Sequence, residues 1–133
     1  MIIEIIPCLS DNYSYLIYEK KSNTVSIVDP AEFEGCDKVI NKYKKLDFIL
    51  NTHHHADHIG ANLELKKKYN SKILGSKLDK DRIPGIDILL KENQKQKIGN
   101  LEFEVIFVPG HTKGHIAFFF SKEKVCLLYT SPS

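Results

Sequence analysis

This chain has little cysteine, and it lacks both long apolar runs and an excess of charge of one sign. The three cysteines, Cys8, Cys36 and Cys126, are too few and too scattered for a disulfide framework, and none belongs to a CxxC pair. We therefore predict a reducing, cytoplasmic location and no thiolate metal cluster. No stretch approaches the ~20 apolar residues of a membrane span, and the opening MIIEIIP is too short for a secretory signal.

Charge is nearly balanced, with 19 basic residues against 17 acidic ones and a formal net charge of +2. Such a balance provides no field that would steer the protein to nucleic acid or to a membrane, so we predict neither as a partner. The chain has 133 residues, of which 42% are hydrophobic, and this suits one domain, or part of one, with a packed core.

Short apolar stretches alternate with amphipathic ones along the chain. Runs rich in β-branched and aromatic residues predict strands at residues 2–7, 13–19, 24–29, 47–51, 72–76, 101–109 and 115–121. Helical spacing predicts helices at 35–45 and 59–69, and a Pro-Gly turn is predicted at 81–87. The order is a hairpin followed by β-α-β units, which predicts a layered α/β fold with helices over a sheet.

The closing string CLLYTSPS, residues 126–133, coincides with the translation of a common sequencing adapter in one reading frame. We interpret it as a non-native tail and assign the domain to residues 1–125. The alternative is a strand, VCLLY, followed by a polar tail. On the first interpretation only Cys8 and Cys36 are native cysteines.

The string THHHADHIG, residues 52–60, holds four of the six histidines and follows a predicted strand. If the chain stays extended there, period two sends His53 and His55 to one side, where they can hold one ion, and His54 to the other. Asp57 and His58 can reach a second ion beside the first. A divalent ion offsets the cost of crowding these groups, so we interpret the string as a metal site rather than a surface histidine cluster.

A second histidine cluster, VPGHTKGH at residues 108–115, also follows an apolar strand. Pro109 and Gly110 force a turn that would aim His111 at the same rim. A third histidine on the first ion leaves one coordination position for water, as in catalytic zinc sites. We expect neither His54 nor His115 to bind metal: His115 is predicted to be structural or to support the site, and His54 to support the site or face solvent.

These motifs together resemble the metallo-β-lactamase superfamily, in which HxHxDH and a downstream PGHT are specific signals. Three further strings, SDNYSYLI, IVDPAE and DRIPGI, resemble glyoxalase II, the hydroxyacylglutathione hydrolases. The resemblance implies a metallo-β-lactamase-like αβ/βα sandwich, truncated. Motif by motif, it implies a first metal held by His53, His55 and His111 and a second held by Asp57 and His58. It places residues 11–13 and Asp29 near or behind the site.

The resemblance also implies the chemistry. Two divalent ions, zinc in the first instance with iron or manganese as alternatives, would hydrolyse S-2-hydroxyacylglutathione thioesters of the S-lactoylglutathione type through a metal-bound hydroxide. Asp57 would orient that hydroxide and so count as catalytic. The products would be glutathione and a 2-hydroxy acid, and the implied partner is this small-molecule thioester.

The chain departs from the family pattern after residue 125. The GDT turn with its metal-bridging aspartate, a later histidine ligand and the C-terminal helical domain have no counterpart, so the chain resembles the first half of a glyoxalase II. Two alternatives therefore stay open. One is a persulfide dioxygenase of the same superfamily that uses a single iron, and the other is an inactive metal-binding fragment.

Overall fold

The computed structural model describes residues 1–8, 12–54, 59–108 and 114–127, and these residues form two sheets. The larger sheet contains, in spatial order, β1 (Ile2–Cys8), β2 (Asn12–Glu19), β3 (Thr24–Val28), β4 (Phe48–Leu50), β5 (Lys72–Ser76) and β6 (Ile88–Leu90). The smaller sheet contains β7 (Lys95–Ile98), β8 (Leu101–Phe107), β9 (Ile116–Phe120) and β10 (Val125–Leu127), in the order β10-β9-β8-β7.

The larger sheet changes from antiparallel to parallel at β3. The pairs β1–β2 and β2–β3 are antiparallel, whereas β3–β4, β4–β5 and β5–β6 are parallel. Parallel neighbours need a long crossover, and two helices lie in those connections: α1 (Phe33–Ile40) and α2 (Asn62–Tyr69). The carboxyl ends of β3, β4 and β5 therefore share one edge of the sheet, which is where ligands bind in layered α/β folds.

Alternation along the strands separates two cores, one on each face of the larger sheet. In β4, Ile49 packs toward the helices, whereas Phe48 and Leu50 pack toward the smaller sheet. In β5, Ile73 and Leu74 divide in the same way. Because successive side chains of a strand point to opposite faces, these residues create three layers, with helices, the larger sheet and the smaller sheet stacked in that order.

A polar contact joins the end of α1 to β1. Glu4 on β1 accepts hydrogen bonds from Lys42 Nζ (2.8 Å) and from the Tyr43 hydroxyl (2.5 Å). Both bonds lower the pKa of the Glu4 carboxyl, and the bond from Lys42 has the larger effect. The bond to Glu4, assisted by burial, raises the pKa of Tyr43 to about 12. Both shifts stabilise the folded state where Glu4 is ionised and Tyr43 is neutral.

The predicted α/β architecture and each predicted strand are confirmed, with small changes in length. The helix predicted at 35–45 begins earlier and ends at Ile40, after which Lys44 adopts φ 61°. Two strands, β6 and β7, were not predicted. β10 crosses the boundary drawn between residues 125 and 126, and that boundary stays a prediction. In the described part of the chain, no helix is long and apolar enough to cross a membrane.

Candidate metal centre

The first histidine motif begins at Thr52, which the carboxylate of Asp29 holds in place. Asp29 follows β3 and is 4% exposed. The backbone N–H of Thr52 donates to Asp29 Oδ1 (2.8 Å), and the Thr52 hydroxyl donates to Oδ2 (2.5 Å). Asp29 has φ 52°, a left-handed conformation that aspartate tolerates better than most residues. One carboxylate thus fixes both the backbone and the side chain of the first residue of the motif.

The same hydroxyl sets the tautomer of His53, which is fully buried. Thr52 Oγ1 lies 2.9 Å from His53 Nδ1. Since the single hydroxyl proton is directed at Asp29, Oγ1 can only accept from His53, and the imidazole proton belongs on Nδ1. This tautomer leaves Nε2 as the nitrogen with a lone pair, the form in which a neutral histidine binds a metal.

The two histidine motifs meet where the sheets face each other. The backbone N–H of Ile116, at the start of β9, donates to the carbonyl of Thr52 (2.8 Å). The rings of His53 and His115 lie 4.9 Å apart between centroids, and His115 is 3% exposed. The carbonyl of His115 accepts from the N–H of Val108 (2.9 Å), which closes the base of the second loop. The described flanks of the two motifs therefore lie against each other, and the predicted convergence of His111 with His53 and His55 stays a prediction because His55 and His111 lie outside the described residues.

His54 has a different environment from His53. Its Nδ1 atom lies 3.2 Å from Oδ1 of Asp79, a fully buried carboxylate in the 3₁₀ turn that follows β5. The two adjacent histidines therefore contact different elements. The chain bends at Thr52 and His53, so this difference does not come from the predicted alternation along an extended chain. The sequence analysis missed Asp79, although its place just after a predicted strand, beside the one that carries the histidines, was a usable signal.

An amide pair ties together the two ends of the segment around the first motif. Asn62 Nδ2 donates to Asn51 Oδ1 (2.6 Å), and Asn51 Nδ2 donates to Asn62 Oδ1 (3.4 Å). Ala61 N–H donates to the carbonyl of Pro30 (3.0 Å). Asn51 and Asn62 are both buried. The loop that carries the histidines thus leaves and returns at fixed points, which the sequence analysis also missed.

Comparison with known proteins gives the family. The model of the metallo-beta-lactamase superfamily matches residues 11–128. The chain belongs to this superfamily. It is 48% identical over 125 residues to a hydroxyacylglutathione hydrolase of Pelagibacter ubique, which covers 93% of the chain and 52% of the relative. It is 42% identical over 119 residues to the enzyme of that name from Methylococcus capsulatus, covering 89% and 46%. The chain spans about half the length of the curated relatives it matches.

Solved structures of the superfamily share the fold. BLEG-1, a B3 metallo-beta-lactamase, gives a TM-score of 0.80 at 23% identity over 94% of this chain and 70% of its own. ETHE1 from Myxococcus xanthus gives 0.77 at 26% identity, covering 90% and 53%. The class B3 di-zinc lactamase LRA-12 from an Alaskan soil metagenome gives 0.73 at 24% identity, covering 89% and 53%. The fold prediction is confirmed, and membership of this superfamily supports binding of divalent metal.

Of the five ligands predicted for the superfamily site, His53 lies in the described part of the chain. The other four, His55, Asp57, His58 and His111, lie outside it, as does Asp11. Within residues 1–8, 12–54, 59–108 and 114–127, no group of three or more histidine, cysteine or acidic side chains is arranged to hold a metal ion. The ligand sets therefore stay predictions. What fits a metal is the buried His53, with its proton on Nδ1.

Proposed function

We propose that this protein is a metal-dependent thioester hydrolase that converts S-2-hydroxyacylglutathione to glutathione and a 2-hydroxy acid. One observation carries the proposal: the curated relatives at 42–48% identity, named hydroxyacylglutathione hydrolases, match about nine-tenths of the chain. The geometry supports it, because the described flanks of both histidine motifs meet at the carboxyl ends of the strands. The proposed partner is thus a small glutathione thioester, and the proposed location is the cytoplasm.

The proposed ligands follow the two motifs. His53, His55 and His111 would hold one divalent ion, and Asp57 and His58 a second, with zinc as the proposed metal. Such ions would lower the pKa of water from ~15.7 toward ~7 and act as Lewis acids toward the thioester carbonyl. Asp57 would also orient the attacking water. Asp29 and Thr52 keep His53 in its metal-binding tautomer.

The leaving group makes modest demands on the protein. A thiol such as glutathione has a pKa near ~8.5, so the thiolate departs near neutral pH without a strong general acid. Among the described residues, the buried groups near His53 hold and orient its imidazole ring. Thr52 fixes its ring, and His115 packs against that ring.

The test is release of free thiol from S-lactoylglutathione by the purified protein, followed with a chromogenic disulfide reagent. We expect thiol release that a chelator abolishes and that added zinc restores. His53→Gln should remove most of it, because the amide neither binds zinc as imidazole does nor stacks on His115 in the same way.

Two results would replace the proposal. Oxygen consumption with glutathione persulfide, without thiol release from the thioester, would favour a dioxygenase. Stoichiometric zinc binding with neither activity would leave a metal-binding protein without this hydrolysis.

A further inference from the structure

We propose that Asp79 is a positioning residue that holds the two histidine loops of the metal centre at a fixed distance from each other. It acts on the first loop through the His54 side chain and on the second through the backbone of Gly114. This inference rests on the metal centre set out under the proposed function. It assigns a structural cause to the geometry of that centre and gives a role to a residue outside both histidine motifs.

The position of Asp79 is unfavourable for a carboxylate, because it is fully buried. Its carboxylate is 0% exposed, and burial of an ionised carboxylate costs several kcal/mol unless partners compensate. Oδ1 contacts His54 Nδ1 at 3.2 Å and accepts a longer bond from Arg82 Nη1 at 3.5 Å. Oδ2 is buried and has no hydrogen-bond partner among the described residues. A purely structural core would be served as well by an apolar side chain, so the buried charge calls for another reason.

Asp79 contacts the first loop at His54, between two proposed metal ligands. His54 lies between His53 and the proposed ligand His55. His54 Nδ1 contacts Asp79, whereas His53 contacts Thr52 and His115. The contact with Asp79 therefore acts on the residue between two proposed ligands through a partner that differs from those of His53. The His54 side chain is 25% exposed, and the contact with Asp79 contributes to its position.

The contact with the second loop depends on the absence of a side chain at Gly114. A Cβ atom built there would lie 2.5 Å from Oδ2 and 2.6 Å from Oδ1 of Asp79, distances that real Cβ atoms essentially never show. The φ angle of Gly114 lies outside the left-handed region, so the backbone conformation itself does not require glycine. Glycine is needed here because the carboxylate packs directly on the backbone. In the sequence, Gly114 lies between the proposed ligand His111 and His115, whose ring packs against that of His53.

The first experiment measures zinc affinity of the whole chain by competition with a chromogenic chelator. Asp79→Asn keeps the shape and removes the charge, and Asp79→Ala removes both contacts. We expect zinc affinity to fall about 10- to 100-fold, the usual effect of losing a group that orients a metal ligand. Asp81→Asn is the matched control, since Asp81 carries the same charge two residues later and is exposed. It should change affinity by less than about twofold.

The second experiment tests whether the contact with Gly114 is the one that matters. Gly114→Ala should weaken zinc binding in the wild-type chain but add almost nothing to Asp79→Ala, because removal of the carboxylate clears the space for the methyl group. Such non-additivity is the signature of two groups in contact. An equal cost of Gly114→Ala with and without the carboxylate would overturn the proposal.

The urea midpoint in the presence of a chelator shows which variants fold. His54→Ala should lower that midpoint, because the buried Asp79 carboxylate loses its nearest partner, and zinc affinity of the folded variant should fall as it does in the Asp79 variants. Unaltered zinc affinity in folded His54→Ala would also overturn the proposal. These readouts do not depend on the substrate: if the chain binds zinc but releases no thiol from the thioester, the proposed function fails and the positioning role of Asp79 is still decided.

Discussion

Removal of the Thr52 hydroxyl should destabilise the fold more than most single side-chain changes in the described structure. Thr52 is 1% exposed, and its hydroxyl donates to the carboxylate of Asp29 and accepts from His53 Nδ1. Thr52→Val keeps the shape and removes both bonds. Loss of a bond to a charged group costs about 1.5–3 kcal/mol, and a buried imidazole N–H deprived of its acceptor adds about 1–3 kcal/mol. We therefore expect the free energy of unfolding to fall by about 3–5 kcal/mol.

Thr52→Ser is the matched control, because it retains the hydroxyl and loses one methyl group, worth about 1 kcal/mol. Urea unfolding in the presence of a chelator isolates the effect on the metal-free chain, and zinc competition measures the effect on the site. Zinc affinity of the valine variant should fall about 10- to 100-fold, because His53 loses the partner that fixes its tautomer. If the free energies of unfolding of the valine and serine variants differ by less than about 1 kcal/mol, the hydrogen bonds that join Asp29, Thr52 and His53 do not stabilise the fold as argued.

Three further outcomes follow from the fold. Stability should fall below about pH 4, as Glu4 is protonated, and again above about pH 10, where Tyr43 ionises first in the unfolded chain. In a plot of urea midpoint against pH, Glu4→Gln should make both limbs shallower without abolishing them, because the pKa values of Asp37 and Tyr69 are shifted in the same directions. One thiol per folded chain, that of exposed Cys126, should react with a thiol reagent, and all three should react after unfolding. Leu50→Ala, at a fully buried position between the sheets, should cost about 2–5 kcal/mol in urea unfolding, whereas Ile106→Ala, at a position 37% exposed, should cost less than about 1 kcal/mol.

Strands with strong alternation could be predicted from the sequence because burial alone determines them. β8 is the clearest case: Leu101, Phe103 and Val105 are buried, and the glutamates between them are half-buried. β7 could not be predicted in this way. Its sequence KQKI buries one residue, Ile98, and its strand conformation comes from pairing with β8 across a turn at Gly99, which has φ 64°. The pairing partner supplies what the local sequence lacks.

The sequence could predict the parts of the site that lie within one motif, but not the neighbours that other strands bring to it. An extended chain was expected to place His53 and His54 on opposite sides; their partners do differ, but the chain bends at Thr52 and His53. Asp79 was missed because its relation to His54 is set by the parallel pairing of β4 with β5, which brings residues 25 positions apart to the same edge. Spacing within a motif cannot reveal such a neighbour, since strand order within a sheet is a property of the whole chain.

The polar residues around the site follow from what happens to a backbone when its strand ends. The N–H of Asn51 still donates to the carbonyl of Leu74 in β5, but past Asn51 the ladder of the larger sheet stops. The N–H and C=O groups of Thr52 must find other partners, because buried backbone groups are almost always hydrogen-bonded. The N–H finds the carboxylate of Asp29, and the C=O finds the N–H of Ile116 in the other sheet. A side chain and a second sheet thus replace the missing strand. The same two bonds bring His53 against His115, so the requirement that satisfies the backbone also assembles the flanks of the two histidine motifs.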